Sequence, residues 1–185
     1  MAAEPERYAE QFVTNGCQYY VAARFAMSAG LLPVMGNLFH HAVEHLLKGG
    51  LARKRTMAEL AKKASAGHHL DKLWLLFKAD FPTNDLSKHN QTIIILKEFE
   101  SIRYPDKIVE QGMEAMANWF EEDVTPFSIP ASSSPKFRVV VENIDLLVAD
   151  IFKESSWNPQ AFLPNTPTAR NAIKLNNRIA DLMMG

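Results

Sequence analysis

Apolar residues recur along most of this chain at the spacing of an α-helix. Between residues 33 and 53 they fall every three or four positions, so they share one face of a long helix. The residues of this apolar face are Met35, Leu38, Phe39, Ala42, Val43 and Leu46. Pro33 suits the first turn, whereas Gly49 and Gly50 would weaken the last turns unless a neighbouring backbone approaches closely. We predict that this long helix is the centre of the fold.

The same spacing predicts further helices on both sides of the long helix. Their approximate ranges are 17–28, 56–64, 70–79, 85–102, 109–120, 135–151 and 168–184. Thr56 and Glu59 have the spacing of a capping box at a helix start. A buried helical face is expected at Val109, Met113, Met116 and Phe120. Strands do not alternate with helices in this pattern, so the predicted fold class is all-α.

Short connections between the predicted helices favour antiparallel neighbours in an up-and-down bundle. Residues 125–135 contain three prolines and a run of serines, which predicts a linker. We therefore expect a helical bundle over residues 1–124, then this linker, and a C-terminal helical pair over residues 136–185. The pair is expected to pack on the bundle.

Composition narrows the class of protein. Hydrophobic residues make up 47% of the 185 residues and charged residues 22%, which is enough apolar mass for a folded core. Cys17 is the only cysteine, so an intramolecular disulfide is excluded. The first ten residues lack the apolar run of a signal peptide, and no window approaches the ~20 apolar residues of a membrane span. We expect a cytoplasmic protein that does not contact a membrane.

The net charge is only −1, but charge is unevenly distributed along the chain. Residues 44–78 contain eight Lys or Arg against three Asp or Glu, and residues 98–123 contain eight acidic residues against two basic ones. Most asymmetry of this kind is solvated surface. The alternatives are head-to-tail self-association and a basic face that meets phosphate.

A strip of polar side chains runs beside the apolar face of the long helix. His41, Glu44, His45 and Lys48 stand at positions i, i+3, i+4 and i+7, so their side chains are neighbours. In a purely structural interpretation, Glu44 and Lys48 form an ion pair along the helix. In a chemical interpretation, the four side chains act together on a ligand.

Residues 41–45 also resemble the His-x-x-Glu-His motif of the inverzincin peptidases. In that motif two histidines bind Zn²⁺ and the glutamate activates the metal-bound water. Such peptidases take a downstream glutamate as the third ligand, for which Glu121 and Glu122 are the candidates. The metal set under this alternative would be His41, His45 and Glu122.

Three segments, in order, resemble the HEPN (higher eukaryotes and prokaryotes nucleotide-binding) domain family. Residues 38–49, LFHHAVEHLLKG, resemble the family's helix with Ala, Glu and a closing Leu-Lys-Gly. Residues 67–73, GHHLDKL, are similar to its Gly-His-(Asp/Asn)-Leu segment, with His69 in place of Asp or Asn. Residues 103–105, RYP, resemble the end of its last motif. The resemblance covers roughly residues 18–105 and leaves the C-terminal part unexplained.

The resemblance implies an up-and-down four-helix bundle, here with additional C-terminal helices, and often a dimer. The family includes nucleotide-binding modules, partners of minimal nucleotidyltransferases, and RNA-cutting toxins. The RNA-cutting members carry an arginine followed, after four to six residues, by a general-base histidine. None of Arg24, Arg53, Arg55 and Arg103 is followed by histidine at that spacing. We therefore predict no catalytic residue and no cofactor.

The leading hypothesis is a HEPN-like domain that binds a nucleotide, an RNA end or a partner protein. The expected ligand surface combines His41, Glu44, His45, Lys48, His68 and Arg103. Lys48 and Arg103 would contact phosphate, and the histidines would make the surface sensitive to pH. The expected protein partners are a second copy and a nucleotidyltransferase. The alternatives are a structural homodimer or partner-binding bundle without a small-molecule site, and the zinc enzyme.

Overall fold

The computed structural model describes residues 4–63, 69–82, 85–102, 106, 115–123 and 137–185. These ranges are mostly helical, with one short sheet. The helices are α1 (Glu4–Ser28), α2 (Leu32–Leu51), α3 (Met57–Lys63), α4 (Leu70–Asp80), α5 (Asn90–Ile102), α6 (Val141–Ser155), α7 (Pro167–Lys174) and α8 (Ala180–Met184). The strands are β1 (Ala115–Asn118) and β2 (Phe137–Val140), and 3₁₀ turns lie at Leu86–His89 and Pro159–Ala161. Within these ranges, no helix has the length and apolar character to cross a membrane.

Helix α2 lies at the centre of the fold, as its apolar pattern predicts. It packs against α1, α4, α5 and α6. Met35, Phe39, Ala42, Val43 and Leu46 are all buried, and Leu38 packs at the edge of the same core. The prediction of the long central helix is therefore confirmed.

The two longest helices, α1 and α2, come unusually close because glycine stands at their contact. A Cβ atom on Gly49 would lie 3.2 Å from the carbonyl oxygen of Ala9 and 3.2 Å from the backbone nitrogen of Val13. A Cβ atom on Gly16 would lie 3.1 Å from the backbone nitrogen of Leu46. The neighbouring backbone that would justify a glycine near the end of α2 is therefore α1.

Helix α1 is longer than predicted, since it begins at Glu4 and not near Cys17. Its first half buries Ala9 and Val13, which are small, and then Gly16. Small side chains give only a weak apolar periodicity, and the charged residues around them suggest a solvated start. The close approach of α2 explains why this buried face is built from small residues.

The mostly helical structure is consistent with the all-α prediction, but a short sheet replaces helix in two of the predicted ranges. Strand β1 pairs in parallel with β2, with Ala115 opposite Phe137 and Asn118 opposite Val140. Met116 therefore lies in a strand and not in the predicted helix 109–120, while Val109 and Met113 are outside the described residues. The next helix begins at Val141, and residues 137–140, predicted as helix, form β2 instead. The sequence Phe-Arg-Val-Val has high strand propensity, and pairing with β1 decides its conformation.

The C-terminal helices share the core of the N-terminal ones. Helix α6 packs on α2 and α5, and α7 packs on α1. The Thr166 hydroxyl caps α7 by accepting a hydrogen bond from the Ala169 backbone N–H at 3.2 Å. Ile173 on α7 and Met183 on α8 are buried in the core that also contains α1 and α2. The predicted linker 125–135 lies outside the described residues.

Candidate functional site

The polar strip predicted on α2 lies against α1. Glu44 is buried, at 2% exposed, whereas His41, His45 and Lys48 are half-buried beside it. The same turn of α2 that buries Ala42, Val43 and Leu46 in the core leaves these side chains at the boundary with α1. Of the predicted ligand surface, the structure thus brings together His41, Glu44, His45 and Lys48. His68 and Arg103 lie outside the described residues.

The Glu44 carboxylate is the electrostatic centre of the strip. Its Oε1 lies 2.5 Å from Lys48 Nζ, and its Oε2 lies 3.5 Å from His41 Nδ1 and 3.9 Å from His40 Nε2. His40 is itself buried, and its Nδ1 lies 3.0 Å from the Leu96 carbonyl oxygen on α5. The ion pair between Glu44 and Lys48 that the purely structural interpretation expects is therefore present, and Glu44 neutralises the Lys48 charge within the protein.

Aromatic rings from α1 pack on the two half-buried histidines. The Tyr19 ring centroid lies 5.5 Å from that of His41 and 5.4 Å from that of His45. The Phe12 ring lies 5.6 Å from His45, and Lys48 Nζ lies 6.0 Å from the Phe12 centroid. We call the surface formed by Phe12, Tyr19, His41, His45 and Lys48 the α1–α2 face. Four planar rings and one ammonium thus form a continuous boundary surface.

Burial controls the protonation of His45. Desolvation holds the pKa of His45 below its usual value, because it penalises the charged imidazolium more than the Glu44 carboxylate stabilises it. The Nδ1 atom of His45 makes no hydrogen bond to the described residues. At neutral pH this histidine is therefore an uncharged ring and not an anion-binding group.

The zinc set expected under the peptidase alternative is not assembled. Glu122 lies after β1 and pairs with Arg178, while His41 and His45 lie on α2. Among the described residues, no three His, Cys, Asp or Glu side chains come together in a way that would hold a metal ion. The carboxylate that is close to His41 is Glu44, which is already paired with Lys48.

Three consecutive cations of the basic segment 44–78 have partners within the protein. Arg53 Nη1 donates to the Ser155 carbonyl oxygen at 2.7 Å, at the end of α6. Lys54 Nζ donates to the Asp80 carbonyl oxygen, and Arg55 Nε pairs with the Asp80 carboxylate at 2.5 Å. These three cations hold the ends of α4 and α6 against the end of α2, so they do not form an open phosphate-binding surface.

A buried polar cluster that the sequence did not reveal joins α1 to the C-terminal helices. Arg24 Nη1 lies 2.6 Å from both Asp145 carboxylate oxygens, and the Tyr20 hydroxyl donates to Asp145 at 2.6 Å. Arg24 Nε also donates to the Ala172 carbonyl oxygen at 2.8 Å, and Nη2 donates to that of Leu175. In the sequence, Arg24 stands among the aromatic residues Tyr19, Tyr20 and Phe25, but no pattern there identifies its partners.

Burial raises the pKa of Asp145 to about 6, although Arg24 and Tyr20 oppose the rise. The carboxylate is therefore ionised at neutral pH and remains paired with the guanidinium. All three side chains of the cluster are almost fully buried, so the cluster stabilises the fold and presents no surface to a ligand.

No family model, curated protein or solved structure matches the chain.

Proposed function

We propose that this chain is a HEPN-like helical binding domain that takes a nucleotide or an RNA end on the α1–α2 face. The fold part of the proposal is a four-helix bundle formed by α1, α2, α4 and α5, in which α2 contacts each of the other three. The observation that carries the binding part is the packing of Tyr19 on His41 and His45 at 5.4–5.5 Å. No catalytic step is part of the proposal.

The rings of the α1–α2 face suit a nucleobase better than they suit an isolated anion. Unpaired bases of RNA bind proteins by stacking on aromatic and histidine rings, which contributes roughly 1–3 kcal/mol per base. Tyr19, His41 and His45 are half-buried, so each ring is held in place yet keeps part of its surface open to solvent. Packing already restricts the conformational freedom of these rings, so less conformational entropy is lost when a base stacks on them.

Phosphate recognition at this face depends on a cation that is already paired. Lys48 shares its charge with Glu44, so a phosphate must compete with that carboxylate for the ammonium. His68 and Arg103 complete the ligand surface in this proposal, on the sequence resemblance alone. The proposed ligand is therefore a nucleotide whose base supplies most of the affinity.

The test is a calorimetric titration with AMP, GMP, CMP, UMP and single-stranded RNA trinucleotides. We expect binding of at least one ligand, and a loss of roughly tenfold or more in affinity for Tyr19→Leu, because stacking is removed. Phe25→Leu is the control, since Phe25 is an exposed aromatic residue on a different side of the same helix. Absence of heat with every ligand, or equal effects of the two substitutions, would refute the proposal.

A second candidate function, self-association, is favoured by the apolar turn between α1 and α2. Phe25, Leu31 and Val34 are 40–50% exposed there and lie within ten residues of one another. If the protein forms a dimer through this turn, the double variant Leu31→Lys, Val34→Lys should be a monomer by light scattering at micromolar concentration.

In the purely structural alternative, the α1–α2 face binds no ligand. Glu44→Ala and Lys48→Ala then change stability or oligomeric state but no ligand affinity.

A further inference from the structure

A polar groove lies away from the α1–α2 face, between the first turns of α5 and the first turns of α6. It consists of two adjoining cavities of about 200 and 220 Å³. Both are lined by Gln91, Thr92 and Ile95 of α5 and by Asn143 of α6. Arg138 of β2 also lines the first cavity, and Lys88 and His89 of the 3₁₀ turn before α5 line the second. Neither the resemblance nor the polar strip on α2 assigns anything to this place.

Several polar side chains of the groove can bond a ligand without breaking a bond within the protein. Gln91 is exposed, Thr92 and Asn143 are half-buried, and none of the three forms a side-chain hydrogen bond or ion pair with a described residue. The Nε atom of Arg138 is buried and also has no hydrogen-bond partner among those residues. Two side-chain amides and a hydroxyl therefore line both cavities, where a ligand can replace water as their hydrogen-bond partner.

The floor of the groove is apolar. Leu96, Val139 and Ile144 are buried at its base, and Ile95 is half-buried beside them. An apolar floor with a few convergent polar groups is the usual composition of a small-molecule site. Each of the two cavities, at about 200 and 220 Å³, is smaller than the roughly 300–1,000 Å³ of pockets for drug-sized ligands, so each fits a body of one or two rings.

The charges at the groove cancel one another. Arg138 Nη1 pairs with Glu121 at 3.1 Å, and Lys88 Nζ pairs with Asp150 at 2.7 Å. His89 Nε2 lies 2.8 Å from the same Asp150 carboxylate, and burial holds the pKa of His89 below its usual value. The groove therefore carries no net charge at neutral pH, and an anionic ligand gains no electrostatic advantage there.

We propose that this groove is a binding site for a small neutral heterocycle of one or two rings with an amide or amino edge. The ring lies on the apolar floor between α5 and α6, and its edge exchanges hydrogen bonds with the amides of Gln91 and Asn143. Paired donors and acceptors of this kind match the side-chain amides of Gln and Asn. The groove is separate from the α1–α2 face. Heterocycle binding at the groove and nucleotide binding at the α1–α2 face can therefore be tested independently.

The experiment is an NMR titration of ¹⁵N-labelled full chain at pH 7.5 with adenine, uracil and nicotinamide. We expect at least one of them to shift the side-chain amide signals of Gln91 and Asn143 in a saturable way. Nicotinate, which differs from nicotinamide in its charge, is expected to bind at least threefold more weakly than nicotinamide if nicotinamide is the ligand that binds. Unchanged amide signals with all three neutral probes, or tighter binding of nicotinate than of nicotinamide, would overturn the proposal.

Substitutions in the groove then distinguish specific binding there from non-specific binding elsewhere on the surface. Asn143→Leu keeps the size of the side chain and removes the amide, so affinity for the neutral probe should fall roughly three- to tenfold. Asn171→Leu, at an exposed position of α7, is the matched control and should not change affinity. Thr92→Val provides a second variant of nearly unchanged shape if Asn143→Leu fails to fold. Equal affinity in the wild type and in the groove variants would contradict the proposal, and Tyr19→Leu should leave this binding intact.

Discussion

At the scale of single residues, two buried carboxylates are each paired with a cation, one within a helix and one between helices. Glu44 is held by Lys48 from the next turn of its own helix, whereas Asp145 is held by Arg24 from the opposite end of the sequence. A buried charge is tolerated only when it is paired and hydrogen-bonded, so removal of either cation leaves a carboxylate whose desolvation is no longer offset.

Arg24→Met tests the pair that joins α1 to the C-terminal helices. The substitution leaves Asp145 buried without its guanidinium and removes the bonds to the Ala172 and Leu175 carbonyl oxygens. We expect the free energy of unfolding to fall by about 3–5 kcal/mol in urea denaturation. Arg170→Met, an exposed arginine on α7, should change it by less than about 0.5 kcal/mol. Similar values for the two variants would contradict the structural role of Arg24.

Lys48→Met tests the local pair on α2. The aliphatic part of the side chain is retained, but Glu44 loses its closest charge partner, so we expect a loss of about 1–3 kcal/mol in unfolding free energy. Lys153→Met on α6 is the control, because Lys153 is exposed and makes no ion pair with the described residues. A loss at Lys48 no larger than at Lys153 would show that the pair contributes little.

At the scale of elements, the contact of α1 with α2 depends on backbone proximity. Gly49→Ala forces a Cβ atom against the Ala9 carbonyl oxygen and the Val13 backbone, neither of which moves without displacing α1. We expect destabilisation of about 1–3 kcal/mol, measured by chemical denaturation, although alanine favours helix intrinsically. Gln18→Ala on the exposed face of α1 is the control and should be neutral or slightly stabilising. An increase in stability of Gly49→Ala would refute the close contact.

The helices that could be predicted from the sequence are those with large apolar side chains at regular spacing. The range of α2 and the capping box at Thr56 and Glu59 follow from such local patterns, and the backbone of Thr56 does bond the Glu59 carboxylate at 2.8 Å. Strand β1 could not be predicted, because pairing between segments more than 20 residues apart decides its conformation. Its four residues, Ala-Met-Ala-Asn, favour no strand by themselves.

Only the part of the candidate site that lies on α2 could be predicted from the sequence. The neighbourhood of His41, Glu44, His45 and Lys48 follows from helix geometry alone. The rings of Phe12 and Tyr19 come from another helix, and their arrival depends on how α1 packs, which periodicity does not encode. For the same reason the partners of Arg24 and the amides of the α5–α6 groove were not expected.

At the scale of the whole molecule, stability depends on pH through two histidines that desolvation keeps uncharged at neutral pH. The pKa values of His45 and His89 are held below the usual value by desolvation. The unfolded chain therefore binds more protons than the folded chain as the pH falls below about 6.5. The contribution of these two histidines to the free energy of unfolding is therefore largest above that pH. It is lost as the pH falls through the pKa values that they have in the folded protein.

We expect the unfolding free energy to decrease from pH 7.5 to pH 5.5, and to decrease less in His89→Gln. Asp145 acts with the opposite sign, because its raised pKa favours the folded state at lower pH. Its contribution is common to both proteins and cancels in the comparison. Denaturation curves at the two pH values measure the difference, and an equal pH dependence in wild type and variant would contradict the buried neutral state of His89.

The most direct measurement on the central claim is an NMR titration of the histidine ring signals with AMP, GMP, CMP, UMP and RNA trinucleotides. If the α1–α2 face stacks a base, the ring signals of His41 and His45 shift together and saturate. If none of these ligands moves the His41 and His45 signals at millimolar concentration, the α1–α2 face does not bind nucleotides and the proposed function is wrong.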